Sequence, residues 1–206
     1  MESVRWLFFD IGSTLVDETK CYEKRFLELS EQAEVPYTDT LKIALDAFRQ
    51  GKKGDHVCAK QYGLAIPKWH HELETAYPDA IDTVRRLKER GYRLGIIANQ
   101  GFGSENRLKG FGLHEYFDII LSSAEAGVAK PNPAIFLRAL CRAECDPKNA
   151  YMIGDRLDND IAPAKHLGMR TVWIKQGFGA FAQPQSDTET PDVTVKSLKE
   201  LLLIFP

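Results

Sequence analysis

A parallel α/β sheet with helices on both faces is the fold class this sequence predicts, and three observations predict it. Short apolar runs alternate with amphipathic runs along most of the chain, the pattern of strands buried between two helical layers. Residues 18–76 interrupt that rhythm with helical periodicity and no clear strand, as an insert would. Polar residues stand directly after the apolar runs, at Asp10, Asn99 and Asp155, where an open parallel sheet binds its ligands.

The elements follow in order. Residues 4–9 form the first strand and end on LFF. Residues 93–98 (RLGIIA), 117–121 (FDIIL), 150–153 (AYMI) and 170–174 (RTVWI) supply four more. Between them, helices are expected over 80–91, 104–110, 133–143 and 158–167, the last closing on Gly168 as a C-cap. Residues 193–195 fit a short edge strand, and 197–203 a terminal helix. Within the insert, helical period appears over 21–32, 40–50 and 57–62. The Gly/Pro/Ser/Thr-rich stretch 176–191 is expected to be a surface loop.

At 206 residues, 44% hydrophobic and 27% charged, the chain can build a core domain and a modest insert. The expected division is a core of 1–17 and 77–206 with a small helical cap of 18–76. A formal net charge of -2 argues against nucleic acid or an anionic membrane as partner, since both select basic surfaces. The longest apolar runs fall well short of the roughly 20 residues that span a bilayer. MESVRWLFFD shows no signal-peptide apolar region, so a cytosolic location is expected. Cys21, Cys58, Cys141 and Cys145 are dispersed. Cys141 and Cys145, four apart, could share a helix face, but without two further ligands they read as thiols rather than a zinc site.

In a parallel sheet these strand ends point one way, so Asp10, Asn99, Asp155 and the loop residue Lys130 converge on one crevice. A lone Asp after a strand can simply cap the next helix, but four such ends together suggest chemistry. A carboxylate near a divalent cation can attack phosphorus and form an aspartyl phosphate. Carboxylates, a main-chain carbonyl and water suit Mg2+. A lysine neutralises the charge that phosphoryl transfer develops. Loop N–H groups around Gly12-Ser13-Thr14 and Asn99-Gln100 can hold phosphoryl oxygens.

FFDIGSTLVD, IIAN, the lysine of AKPNPAIF and IGDRLDNDIAPAKHLGM resemble, in order, the four motifs of the haloacid dehalogenase-like hydrolase superfamily. The resemblance covers residues 4–17 and 80–175. It implies a Rossmann-like sheet of strand order 5-4-1-2-3, a helical cap inserted after the first motif, and a Mg2+-dependent phosphatase acting on a small phosphorylated metabolite. By position it implies Asp10 as nucleophile, Lys130 as the residue steadying it and the phosphoryl group, and Asp10, the Gly12 carbonyl, Asp155 and Asp160 on the metal side. Ser13, Thr14, Asn99, Gln100 and Lys130 would bind the phosphate.

Two positions depart from that pattern. The family's phosphatases usually carry an acid/base Asp two residues after the nucleophile, and here Gly12 stands there. The Ser or Thr that usually precedes the second-motif Asn is Ala98. Losing a general acid/base costs about 10²–10⁴-fold, so Gly12 is the serious departure. If an acid is all the site lacks, Gly12→Asp should raise activity. Asp17, Glu18, His56, His70 and His71 could replace it by residue type, the default for each being a solvated polar side chain. The competing readings are a silenced domain that binds a phosphorylated ligand or protein partner, a phosphonatase using Lys20, Lys24, Lys52, Lys53 or Lys60, and a metal-free dehalogenase.

Overall fold

The structure, a computed structural model, describes residues 6–206. β1 (Trp6–Phe9) has all four residues buried, and residues 4 and 5 of the expected strand lie outside the described residues. The short strands β2 (Val16–Asp17) and β3 (Thr75–Ala76) pair antiparallel. Between them run α1 (Thr19–Gln32), α2 (Tyr37–Arg49) and α3 (Gly54–Tyr62), the three helices of the insert.

The rest alternates. α4 (Ala80–Glu89) precedes β4 (Arg93–Ala98), and α5 (Ser104–Gly110) precedes β5 (Ile119–Ser122). The short α6 (Ser123–Ala126) and α7 (Pro133–Arg142) lead to β6 (Ala150–Gly154). Then come α8 (Ala162–His166), β7 (Arg170–Ile174), β8 (Val193–Val195) and α9 (Leu201–Ile204).

The main sheet is parallel throughout, in the order β5-β4-β1-β6-β7-β8. Its first five strands in chain order stand as 5-4-1-2-3, and β8 extends that order by a sixth strand at the edge. Alternation along β1 explains the two helical layers, because successive side chains leave a strand on opposite faces. Leu7 and Phe9 join one cluster with Val84 and Leu87 of α4 and Leu201 of α9. Trp6 and Phe8 join the other with Ile135, Phe136 and Ala139 of α7. Each fully buried side chain of this size contributes about 1.5–3 kcal/mol, which makes the centre of the sheet a rigid base for the residues at its ends.

Three expectations need correction. β5 begins two residues later than expected: the Asp118 amide still donates to the Leu94 carbonyl of β4 at 2.8 Å, but strand pairing starts at Ile119 opposite Gly95. The Asp118 carboxylate accepts from the Leu94 amide at 2.9 Å and pairs with Lys88 and Arg93. The expected helix over 158–167 opens as a π-helical turn, Leu157–Ile161, before α8. Pro163 lacks the N–H of a regular helix interior, and the Ile161 amide reaches back five residues to the Arg156 carbonyl at 3.3 Å, the bond of a π turn.

Thirdly, 176–191 is not all surface loop. A 3-10 turn, Gly177–Phe181, drives Phe178 into the insert, with ring centroids 5.5, 5.3 and 5.1 Å from those of Tyr22, Phe26 and Phe48. Cys141 is on α7, and Cys145 lies beyond its end rather than on a shared helix face. Among the described residues no helix is long and apolar enough to cross a membrane.

Candidate active site

Parallel register brings the strand ends level. Phe9 lies opposite both Ile96 and Ile153, and the Asp10 amide donates to the Ile153 carbonyl at 3.0 Å. The chain then turns tightly, with the Leu15 and Val16 amides both donating to the Ile11 carbonyl and Ser13 at φ 54°. That turn aims the Asp10 side chain into a cleft of about 300 Å3 between sheet and insert.

Lys130 reaches into the cleft from the loop before α7. Its ammonium donates to Asp10 Oδ1 at 2.7 Å, Asp160 Oδ1 at 2.6 Å and the Ile97 carbonyl at 2.8 Å. All three donors of the ammonium are thereby satisfied inside the protein, as a buried charge requires. Burial alone would lower its pKa, but the Asp10 and Asp160 carboxylates outweigh burial and leave it raised. Asn99 clamps the same residue by its backbone. Its Oδ1 accepts from the Lys130 amide at 2.7 Å, and its Nδ2 donates to the Lys130 carbonyl at 2.8 Å.

Asp155 and Asp160 complete an acidic trio with Asp10, one oxygen from each lying within 4.8 Å of the others. Gly154 makes this possible, since a Cβ there would sit 2.3 Å from Asp160 Oδ2. Burial pushes the Asp155 carboxyl well above the ordinary carboxylate range, and its neighbours Asp160 and Asp10 push it further. Burial likewise lifts Asp160 to about 6, against the pull of Lys130. Two buried carboxyls that resist ionisation beside a third are a hard-oxygen donor set that a divalent cation would relieve.

The expected phosphate-binding residues divide. Ser13, Asn99, Gln100 and Lys130 line the cleft. Thr14 does not: it is fully buried, and its hydroxyl donates to Asp155 Oδ1 at 3.4 Å. Among the other candidates, Asp17 caps α1 by accepting from the Thr19 amide at 2.9 Å. His70 is buried between Glu28 and Glu72, whereas His56 and His71 are exposed at the cleft. Of the five lysines named as phosphonatase candidates, Lys53 lines the cleft.

Glu18 overturns its default reading. It is 9% exposed, lines the cleft, and accepts from Arg107 Nη2 at 3.1 Å and Ser13 Oγ at 3.3 Å. Burial raises its carboxyl to about 7, with Arg107 opposing and Asp10 and Glu74 adding. Arg107 also binds Glu74, through Nε at 2.8 Å. Sequence reasoning missed Arg107 and Glu74, as well as Tyr22, Arg25, Asp55, Trp69, Arg156 and Asn159 of the lining. Arg156 and Asn159 stand inside the fourth motif, between its two acids, and the others come from turns and helices with no motif to mark them; for Glu18 and its partners the available hint was a glycine where the first motif normally has a side chain.

Comparison with known proteins identifies the family. Residues 7–174 match the family model described as haloacid dehalogenase-like hydrolase. The chain is 36% identical over 221 residues to a glyceraldehyde 3-phosphate phosphatase of Methanocaldococcus jannaschii, covering 97% of this chain and 96% of that protein. A protein of the same name from Methanopyrus kandleri is 39% identical over 139 residues, covering 65% of this chain and 59% of the relative. The crystal structure of an HAD phosphatase from Thermococcus onnurineus superposes with a TM-score of 0.66 at 27% identity, covering 97% of each chain. With the match running from β1 through β7 and the four motif regions meeting in one cleft, this chain belongs to the haloacid dehalogenase-like hydrolase family.

Proposed function

We propose that this hydrolase is a Mg2+-dependent phosphatase of small phosphorylated metabolites, with Asp10 as nucleophile. The observation that carries the reading is the Asp10–Lys130–Asp160 contact, with Asp155 alongside, at the floor of a cleft of about 300 Å3. That volume is at the small end for ligand sites. Curated relatives named glyceraldehyde 3-phosphate phosphatase and phosphoserine phosphatase support a substrate of that size.

In this reading Lys130 holds Asp10 by Oδ1 and leaves Oδ2 to attack phosphorus, while its charge offsets that gathering on the phosphoryl oxygens. Asp10, Asp155, Asp160 and the Gly12 carbonyl would hold the cation, which supplies charge neutralisation for the phosphoryl group. Ser13, Gln100 and the main chain at Asn99 line the phosphoryl position, and Asn99 positions Lys130 through its side chain. Thr14 orients Asp155 rather than touching phosphate. The insert, 18–76, would act as the cap that closes over substrate and selects it.

A silenced binding domain would gain nothing from an acidic trio buried at a cost in stability. A dehalogenase needs no metal and hence no Asp155–Asp160 pair. The test is hydrolysis of 4-nitrophenyl phosphate with and without Mg2+. Turnover is expected with the metal and is expected to vanish in Asp10→Asn. Absence of turnover in the wild type, or wild-type turnover in the variant, would refute the proposal.

A further inference from the structure

We propose that Glu18 is the acid/base catalyst of this site, its carboxyl entering from the start of the insert into the space left by the missing side chain at Gly12. The inference rests on the phosphatase reading and deepens it. A Cβ built at Gly12 would meet Glu18 Oε1 at 2.5 Å, Oε2 at 2.6 Å and Cδ at 2.8 Å. The Glu18 carboxyl therefore stands where a side chain two residues from Asp10 would begin, facing the same cleft.

Several other proton-carrying groups of the cleft are engaged, while Lys53 and His56 stand exposed. Lys130 donates three hydrogen bonds, and Asp155 and Asp160 form the acidic trio with Asp10. Asp55 is paired with Arg25 at 2.5 Å, and His71 with Glu74 at 3.1 Å. Arg107 and Ser13 fix the orientation of Glu18, as a proton-transfer group must be fixed. Arg107, in turn held by Glu74, is a positioning residue.

In the first half-reaction an Asp10 oxygen bonds to phosphorus while the bond from phosphorus to the ester oxygen breaks. That oxygen keeps the electron pair, takes the proton of the Glu18 carboxyl and leaves as an alcohol. In the second, the Glu18 carboxylate takes a proton from water as the water oxygen bonds to phosphorus. The phosphorus–Asp10 bond breaks, its electron pair returns to Asp10, inorganic phosphate departs and Glu18 is again protonated.

This geometry revises the expectation for Gly12. A single Gly12→Asp would thrust a side chain into the Glu18 carboxyl, so it should lower activity rather than raise it. The deciding experiment compares kcat/KM of wild type and Glu18→Gln on 4-nitrophenyl phosphate and on glycerol phosphate, whose alkoxide leaves poorly. Glutamine keeps the shape and can still accept from Arg107. Loss of an acid should cost the alkyl ester about 10²–10⁴-fold and the aryl ester less than roughly tenfold. Equal losses on both esters, or no loss on either, would overturn the proposal.

Gly12→Asp/Glu18→Ala provides an independent arm, because it returns a carboxyl to the same space from the other backbone position. It should hydrolyse glycerol phosphate faster than Glu18→Ala alone, and a double variant no faster than the single would also overturn the assignment. A wild type inert toward 4-nitrophenyl phosphate would instead remove the phosphatase reading on which the inference stands.

Discussion

Lys130 sets one buried cation against two carboxylates and a main-chain carbonyl, and it is the residue on which the rest of the site balances. Removing one partner from a buried ion pair leaves uncompensated charge, which costs about 3–5 kcal/mol. Lys130→Met should therefore lower the urea unfolding midpoint by a corresponding amount as well as abolish hydrolysis. A variant of unchanged stability would show that the ammonium does not hold Asp10 and Asp160 as described. Two glycines work alongside it in the same manner. Gly154 makes room for Asp160 and Gly12 for Glu18, so in each case a carboxyl from later in the chain fills the space of an absent side chain. The first was legible, since Gly-Asp after a strand and a second Asp five residues on form a recognisable spacing. The second was not, because Gly12 appears in the sequence simply as a missing acid.

At the scale of elements, legibility followed locality. The edge strand Val193–Val195, the strand Arg170–Ile174 and the helix Ser104–Gly110 stand where local periodicity puts them. Boundaries moved where a side chain bonded across the fold. The Asp118 carboxylate takes the Leu94 amide at the start of β5, and Asp160 turns inward to Lys130 from a π-helical turn. Phe178 was hidden for the same reason. A loop-like composition around it says nothing of Tyr22, Phe26 and Phe48, which are distant in sequence and pack against its ring. Arg107 on α5 was equally silent, for its role exists through Glu18 and Glu74 on the other side of the cleft. The core motifs could be read because three of the four are strand ends and the fourth is a loop lysine beside them; the roof of the cleft could not, since it is built from pairings across long stretches of chain.

For the molecule as a whole, the buried acids of the cleft set activity against stability. Asp155, Asp160 and Glu18 all have carboxyls raised by burial, the latter two to about 6 and about 7. An acid raised on folding binds more protons in the native state, so its stabilising contribution is present at low pH and is lost as pH rises towards the folded value. The metal-free protein should therefore lose stability from these groups between about pH 4.5 and 7. Mg2+ should raise Tm near pH 7 and raise it less near pH 5. Asp155→Asn should raise the metal-free Tm at neutral pH and abolish the response to Mg2+. An undiminished response in that variant would place the cation elsewhere.

The central claim, that Asp10 attacks phosphorus, is tested most directly by quenching the enzyme in acid during turnover of a phosphate ester and mapping the phosphoryl group by peptide mass spectrometry. A labile phosphoryl group is expected on the peptide containing Asp10, enriched in Glu18→Gln and absent in Asp10→Asn. Turnover with phosphate on another residue, or undiminished hydrolysis in Asp10→Asn, would contradict that claim.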